Sequence, residues 1–357
     1  MINRDRIERI FRTRLGLDSS KLTISPLSGD ASNRSYYRLD FPPGSSPASM
    51  ILMELADPEP FKQSEEKVSG KDPASAELPF VNILRHLASS GVPVPELYYY
   101  DESGGLLFLQ DLGDETLEKT IRTAGEEEIR RLYTRSVDEL VKFQKQAGRG
   151  DPQKCLAFGR AFDLPLLMWE FDHFLEYGIE ARTGEKIKEG DRRRIQGEFQ
   201  KICETILSAP RTLVHRDYHS RNLMVFQGGI FMLDFQDALV GPAVYDLASL
   251  LRDSYQVLPE SLISNLLKTY LEQSRAGGME WNTPWDDGGF RRLFDWMSIQ
   301  RNLKAAGRFV YIDAVKKKDH LLPYIPQTLS NVRNNLENYP ELKVLRSALL
   351  PYVREFR

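Results

Sequence analysis

The sequence predicts an α+β fold in two lobes, a small strand-rich lobe over residues 1–110 and a larger helical lobe over residues 111–357. Short apolar runs separated by Gly, Pro and Ser turns fill the first 110 residues, whereas apolar residues at helical spacing dominate from Asp111 onward. The length of 357 residues is enough for each lobe to bury its own core.

The first lobe begins with a predicted amphipathic helix. Its apolar residues recur at helical spacing, at Ile7, Ile10, Phe11 and Leu15, and acidic residues interrupt the basic ones, unlike a signal or transit peptide. Five candidate strands follow, at Leu22–Leu27, Ser35–Phe41, Met50–Leu55, Val94–Tyr100 and Leu106–Gln110. Residues 57–78 are polar and predict a mobile segment, and Phe80–Ser89 predicts a helix that ends at Gly91.

The second lobe is predicted to be helical apart from a hairpin at residues 222–234 and its surroundings. Helical patterns cover residues 126–147, 163–182, 190–208, 246–255, 260–275, 288–308 and 325–337. A nucleotide is expected to bind between the two lobes, because ligand sites favour such clefts.

Composition excludes several classes of protein. The 48 Lys and Arg residues nearly balance 51 Asp and Glu residues, so the charge does not predict a nucleic-acid or membrane partner. No window approaches 18 consecutive apolar residues, which excludes a membrane helix. The two cysteines, Cys155 and Cys203, match no metal or redox spacing, and a reducing cytoplasm is expected.

The most informative stretch reads HRDYHSRN over residues 215–222 and DFQD over residues 234–237. The pattern supplies one carboxylate, Asp217, to accept a hydroxyl proton. It also supplies the oxygens of Asn222 and Asp234 to hold Mg²⁺. Together these residues predict phosphoryl transfer from ATP. A surface Asp in a turn is the alternative interpretation of Asp217 when it is considered alone.

The hairpin between Asn222 and Asp234 allows a geometric prediction. If its turn is centred on Gly228, Phe226 faces Ile230 and Asn222 faces Asp234 on one side of the ladder. A two-residue turn at Gly228-Gly229 would instead put Asn222 and Asp234 on opposite faces. The first register is preferred because one Mg²⁺ is normally held by one or two protein oxygens plus phosphates.

Other residues have structural alternatives. His215 is expected to hold the loop backbone by hydrogen bonds, and Asp246 either caps a helix or braces the loop. Gln300 and Lys304, one helical turn apart, either reach an acceptor substrate or are simply solvated. Residues 28–33 are a β-turn or a loop that covers phosphates, and residues 110–113 are a turn or a hinge that binds adenine.

These motifs resemble the aminoglycoside phosphotransferase and choline kinase superfamily, whose members are relatives of the protein kinases. The closest resemblance is to bacterial anomeric kinases of N-acetylmuramate and N-acetylglucosamine. Supporting segments lie at residues 29–39, 91–97, 109–113 and 300–309, so the resemblance spans nearly the whole chain. It implies a protein-kinase-like two-lobe fold, with the first lobe binding the nucleotide and the second carrying the catalytic loop and the acceptor site.

The resemblance also implies roles for individual residues. Asp217 is the catalytic base, and Asn222 and Asp234 are the metal ligands. Nucleotide contacts are assigned to Gly29, Asp30, Ser32, Asn33 and Arg34 in the phosphate loop and to Gln110 and Leu112 at the hinge. ATP and Mg²⁺ are the implied cofactors, and a sugar is the implied partner.

The chain departs from kinases in one respect. The third strand, MILMEL over residues 50–55, lacks the Lys that usually holds the α- and β-phosphates. Arg34, Arg38 and Lys71 are candidates to replace it on charge and position. An aminoglycoside, choline-like or other metabolite acceptor, and a non-catalytic nucleotide binder, remain alternative functions. The sequence carries no signal for the oligomeric state.

Overall fold

The computed structural model describes residues 4–18, 21–27, 34–55, 77–281 and 287–357. The predicted mobile segment at residues 57–78 lies outside the described residues except for its last two positions. The chain forms two compact units. The first contains the described residues up to 55 and Val94–Glu115, and the second contains residues 77–93 and Thr116–Arg357.

The first unit is a five-stranded antiparallel sheet with a helical N-terminus. The strands are β1 (Thr23–Leu27), β2 (Ser35–Asp40), β3 (Ser49–Glu54), β4 (Leu97–Asp101) and β5 (Leu106–Gln110), in the order β1-β2-β3-β5-β4. All five match predicted strands. Only β4 begins notably later than expected, because Pro95 has no N–H to donate to the ladder.

The predicted first helix is confirmed as α1 (Arg4–Ile10), which continues as a π-helical turn over Phe11–Leu15. Its apolar face packs on the sheet. The core of this unit consists of Ile7, Ile10, Phe11, Leu22, Leu39, Phe41, Met50, Leu52, Leu106 and Phe108. The rings of Phe11 and Phe108 meet edge to face with centroids 5.4 Å apart, so the helix is fixed to β5.

The second unit is mainly helical. Its helices are α2 (Pro79–Ser89), α3 (Leu117–Ile121), α4 (Glu126–Gln146), α5 (Leu164–His173), α6 (Glu189–Leu207), α7 (Tyr245–Leu251), α8 (Glu260–Ala276), α9 (Asp287–Lys316), α10 (Ile325–Asn338) and α11 (Lys343–Leu349). None of the described helices is long and apolar enough to cross a membrane.

The division into units differs from the boundary expected at residue 110. Helix α2 belongs to the second unit, since its face of Phe80, Ile83, Leu84 and Leu87 is buried and Phe80 packs on Phe235. The first unit also extends beyond the expected boundary to Glu115, because Arg38 of β2 bonds to Asp111 and Asp114.

Three helices differ from the predicted spans. The segment predicted at residues 163–182 is helical, but α5 gives way to a π-helix over Phe174–Ala181. Helix α9 runs eight residues beyond the predicted end at 308, and α7 ends at Leu251 rather than 255. The long helix approaches the π-helix so closely that a Cβ on Gly307 would lie 2.9 Å from Cα of Phe174. The absence of a side chain at Gly307 therefore permits this packing.

Two small antiparallel sheets interrupt the helices. Strand β6 (Arg211–Val214) pairs with β9 (Leu239–Pro242), and β7 (Leu223–Phe226) pairs with β8 (Gly229–Met232). The β7–β8 pair is the predicted hairpin. The connection from β6 to β7 and the connection from β8 to β9 carry the residues predicted to be catalytic.

Candidate active site

The loop between β6 and β7 carries Asp217 and Asn222, and Asp234 follows β8. Two residues here adopt positive φ without being glycine, Arg216 at 76° and Asp234 at 62°. Such conformations cost free energy and persist where the surroundings fix them, often at functional sites. At Arg216 a hydrogen bond to the loop backbone supplies that fixation.

Asp246 braces the loop, which was one of its two predicted roles. Its carboxylate accepts hydrogen bonds from the backbone N–H of His215 at 2.7 Å and of Arg216 at 3.0 Å. The alternative role, a helix cap, is wrong, because α7 begins at Tyr245 after the N-cap residue Val244. Burial raises the pKa of Asp246 to about 6, against the opposing effect of His215 and of these hydrogen bonds.

Two more side chains hold the same loop. His215 Nδ1 accepts a hydrogen bond from the backbone N–H of Asp217 at 3.3 Å, which confirms its predicted structural role. Asp253 accepts the backbone N–H of Ser220 at 2.9 Å. Asp253 was not among the residues predicted from the sequence. Its position two residues beyond α7 offered no local signal, since its partner is 33 residues away.

Asp217 lies among cations. Its Oδ1 atom is 3.8 Å from Nη2 of Arg301, and its side chain is 37% exposed. Burial acts to raise the pKa of Asp217, but the charges of Lys304 and Arg301 outweigh it and hold the pKa well below its usual range. Asp217 is therefore an ionised carboxylate at neutral pH, able to accept a hydrogen bond or a proton from an alcohol.

Asn222 is in direct contact with Asp217. Its Nδ2 atom donates to the backbone oxygen of Asp217 at 3.0 Å, so its Oδ1 atom is the one left to bind a cation. Asp234 is exposed, and its Oδ1 atom accepts a hydrogen bond from Nε2 of Gln236 at 2.8 Å. Carboxylate and amide oxygens are the ligands that Mg²⁺ prefers, so the two side chains fit the ion chemically.

The predicted register of the hairpin is wrong. Phe226 pairs with Gly229 rather than Ile230, and the backbone oxygen of Asn222 accepts the N–H of Leu233 at 2.8 Å. The turn has two residues, Gln227 and Gly228, both with positive φ. This is the geometry whose twist matches paired strands. Asn222 thus opposes Leu233, and Asp234 lies just beyond the ladder.

His219 lies beside two of the predicted residues, and its backbone N–H donates to the backbone oxygen of Asp217 at 3.0 Å. Its Nε2 atom lies 3.5 Å from Nδ2 of Asn222. Burial lowers the pKa of His219, and the negative charges of Asp253, Asp217 and Asp234 act in the opposite direction. Asp217 and Asp234 therefore both lie within electrostatic reach of this ring, although they come from different connections.

A buried ionic cluster lies behind the loop, and sequence reasoning missed its centre. Glu170 of α5, with no exposed side-chain surface, contacts Arg216 at 3.0 Å, Lys304 at 3.3 Å and Gln300 at 2.7 Å. The solvated alternative for Gln300 and Lys304 is therefore wrong, because Glu170 holds both side chains in the interior. Their contact with an acceptor stays a prediction. The Lys304 ammonium also donates to the hydroxyl of Tyr245 at 3.2 Å.

Several nucleotide-binding candidates lie outside the described residues, namely Gly29, Asp30, Ser32 and Asn33. Lys71, a candidate to replace the missing strand Lys, also lies outside them. Arg34 stands directly before β2, and Leu112 is buried. Gln110 ends β5, and its Oε1 atom accepts the N–H of Glu96 at 3.3 Å. Gly113 has a φ of 78°, as expected for a turn at residues 110–113.

Arg38 is committed to a structural role. Its guanidinium bonds to Asp111 at 2.7 Å and to Asp114 at 2.9 Å within the first unit. The two carboxylates offset its charge, which makes Arg38 a poor replacement for the missing strand Lys.

Comparison with known proteins identifies the class. The Phosphotransferase enzyme family matches residues 23–296, and the chain belongs to this family. The fold is similar to a choline kinase from Cryptosporidium parvum, with a TM-score of 0.64 at 12% identity, covering 96% of this chain and 97% of that one. It is also similar to an ADP-bound aminoglycoside phosphotransferase, with a TM-score of 0.54 at 14% identity, covering 96% and 99%.

Two sequence relatives carry the same name, N-acetylmuramate/N-acetylglucosamine kinase. The protein from Neisseria meningitidis serogroup B is 32% identical over 91% of this chain and 89% of its own length. The protein from Pseudomonas putida is 28% identical over 96% of this chain and 91% of its own length. The expected kinase-like fold and family are thus confirmed.

Proposed function

We propose that this protein is a kinase that transfers the γ-phosphoryl group of ATP to N-acetylmuramate or N-acetylglucosamine, at the anomeric hydroxyl. The observation that carries the proposal is the ionised carboxylate of Asp217. The backbone oxygen of the same residue accepts a hydrogen bond from Nδ2 of Asn222, which leaves the side-chain oxygen of Asn222 available to bind a cation. The names of the relatives supply the acceptor.

Asp217 acts as the base in this proposal. Its carboxylate accepts the proton of the sugar hydroxyl while that oxygen forms a bond to the γ-phosphorus. The bond from this phosphorus to the bridging oxygen breaks, and ADP leaves with the electron pair. Because the transition state of such transfers is loose, positioning of the alcohol contributes more than the strength of the base.

Asn222 and Asp234 are proposed to hold Mg²⁺ through oxygen. A bound Mg²⁺ would offset the negative charge of the nucleotide phosphates. The loop braces of Asp246 and Asp253 keep Asn222 at a fixed place, and the hydrogen bond from Gln236 orients the Asp234 carboxylate. Residues 29–34 are proposed to contact the phosphates of the nucleotide. Gln110 and Leu112 are proposed to contact it at the hinge.

The electrostatics around Asp217 favour this acceptor over a polycation. Lys304, Arg301 and Arg216 all act on the carboxylate. An aminoglycoside carries several ammonium groups, which these cations would repel, whereas an N-acetylated sugar is neutral or acidic. Retention of an ionised carboxylate in a braced loop also argues for catalysis over a purely binding role.

The test is incubation of the purified protein with ATP, Mg²⁺ and one acceptor at a time, with product analysis by phosphorus NMR. The acceptors are N-acetylmuramate, N-acetylglucosamine, kanamycin and choline. We expect an anomeric phosphate from the two amino sugars only. The Asp217→Asn variant should lower kcat by at least about 100-fold, the contribution of a positioned base. Transfer to kanamycin or choline alone, or equal transfer by the variant, would contradict the proposal.

A further inference from the structure

Arg301 is a buried cation beside the catalytic carboxylate. It lies on α9, and only 8% of the residue is exposed. Its Nε atom donates to the hydroxyl of Ser249 on α7, which fixes the base of the guanidinium. Its Nη2 atom is 3.8 Å from Oδ1 of Asp217, which is too long for a hydrogen bond. Nη2 thus lies near Asp217 without bonding to it.

The neighbouring cations differ from Arg301 because each has a carboxylate partner. Arg216 and Lys304 are both bound by Glu170, at 3.0 and 3.3 Å. Across the described ranges, neither terminal nitrogen of Arg301 has a hydrogen-bond acceptor. A guanidinium has five N–H donors, so the terminal nitrogens of Arg301 are available to bind the oxygens of a ligand. A ligand with such acceptor oxygens would complete the arrangement.

The position of Arg301 defines where that ligand lies. An alcohol oxygen bound to Asp217 would sit about 2.7 Å from the carboxylate, and an attacked phosphorus about 3–3.5 Å beyond that oxygen. The non-bridging phosphoryl oxygens surround that phosphorus. A guanidinium beside the same carboxylate is therefore within reach of them. Arginine suits this role because its planar, permanently charged fork matches the oxygens of a phosphoryl group.

We propose that Arg301 is a further catalytic residue, whose terminal nitrogens bind the non-bridging oxygens of the phosphoryl group during its transfer to the sugar. This inference rests on the proposed kinase function and deepens it. Asp217 takes the proton, the sugar oxygen gains the bond to phosphorus, and ADP leaves with the electron pair. Arg301 keeps its own protons throughout and stabilises the charge on the oxygens in transit.

A different anion could occupy the same place. N-acetylmuramate has a carboxylate on the ether at C3, two ring carbons from the anomeric carbon, and N-acetylglucosamine has none. Arg301 stands beside the carboxylate that holds the reacting oxygen, which favours the phosphoryl group as its ligand. The two sugars therefore form a matched pair that separates the two ligands experimentally.

The experiment compares Arg301→Gln and Arg301→Lys with the wild-type protein on both sugars. We expect Arg301→Gln to lower kcat about 100-fold or more on N-acetylglucosamine and N-acetylmuramate alike, with smaller changes in KM. Arg301→Lys should keep part of the activity, because it retains the charge and loses the fork. Guanidinium chloride at low millimolar concentration should partly restore an Arg301→Ala variant.

Controls separate catalysis from folding. Arg292→Gln and Arg292→Lys change an arginine on the same helix that pairs with Glu341 at 3.8 Å, and both should keep wild-type kcat. Thermal melting and calorimetric binding of ATP show whether each Arg301 variant is folded. If Arg301→Gln fails to fold, the kcat of the Arg301→Lys protein tests the same role.

Two outcomes would overturn the proposal. A rise in KM confined to N-acetylmuramate would assign Arg301 to the sugar carboxylate instead. Unchanged kcat on both sugars in a folded variant would make Arg301 structural. If the wild-type protein phosphorylates neither sugar, the proposed function fails, but the role of Arg301 can still be tested. Slow transfer of the γ-phosphoryl group to water, measured as phosphate release, should then fall in the variants by a similar factor.

Discussion

The Glu170 carboxylate lies 3.0 Å from the Arg216 guanidinium, and both side chains are almost wholly buried. Arg216 immediately precedes Asp217 and has a φ of 76°. The ion pair therefore connects helix α5 to a backbone position of unfavourable φ in the proposed catalytic loop. A buried pair of this kind is strongly destabilised when one partner is removed, because the other charge is left uncompensated.

We predict that Glu170→Gln lowers the free energy of unfolding by about 3–5 kcal/mol, since Arg216 and Lys304 would lose their shared counter-charge. Urea unfolding at neutral pH measures this loss. Glu127→Gln serves as the control, because Glu127 is 86% exposed in its pair with Arg130 and its removal should change stability little. Equal stability of the Glu170 variant and the wild type would show that the buried cluster contributes nothing net.

The metal requirement should depend on Asp234. Asp234→Asn removes one negative charge from the proposed ligand pair and should raise the Mg²⁺ concentration for half-maximal activity about tenfold or more. Excess Mg²⁺ should restore most of the rate. The measurement is a Mg²⁺ titration of kinase activity at fixed ATP. Asp319→Asn, which alters an exposed carboxylate, should leave the titration curve unchanged. A curve for Asp234→Asn that overlays the wild type would remove Asp234 from the metal site.

Stability in acid should depend on Glu180. Burial by itself would raise the pKa of Glu180, but hydrogen bonds from Lys186 at 2.8 Å, the N–H of Ile187 at 3.0 Å and Arg192 at 2.6 Å lower it to about 2. The depressed pKa means that the stabilisation is complete above the ordinary value of 4.5 and is lost as the pH falls toward 2.

Glu180→Gln should therefore be less stable than the wild type at pH 7, by on the order of 3 kcal/mol. The difference should shrink steadily between about pH 5 and pH 2, because the wild-type carboxylate becomes protonated. Urea unfolding of both proteins across this range tests the prediction. A difference that stays constant with pH would show that the lost stability comes from packing and not from charge.

The contact at Gly307 should tolerate no side chain. Gly307→Ala would place a Cβ 2.9 Å from the backbone of Phe174, which cannot move like a flexible side chain, so we expect a loss of about 1–3 kcal/mol. Gly197→Ala is the matched control in helix α6, where a Cβ would meet nothing within 4 Å. That change should stabilise the protein by up to about 1 kcal/mol through helix propensity. Thermal denaturation of both variants gives the comparison.

Local patterns predicted much of this molecule. Alternating and helical apolar spacing predicted all five strands of the first sheet and most long helices, because burial of one face depends on neighbours a few residues apart. The HRDYHSRN run likewise identified Asp217 and Asn222 as members of one loop, and the two were found in contact. The hairpin register was missed, since the sign of φ at Gln227 decides it and Gln carries no strong preference for that turn.

The sequence by itself determined which residue types could perform phosphoryl transfer and where along the chain they stand. Only the tertiary structure decided what surrounds them. Glu170 meets Arg216 across 46 positions and Gln300 across 130, and Arg301 reaches Asp217 from another helix. The packing of α5, α7 and α9 around the loop determines these partners. A buried charge needs a counter-charge close to it in space, and the order of residues along the chain does not specify which residue supplies that counter-charge.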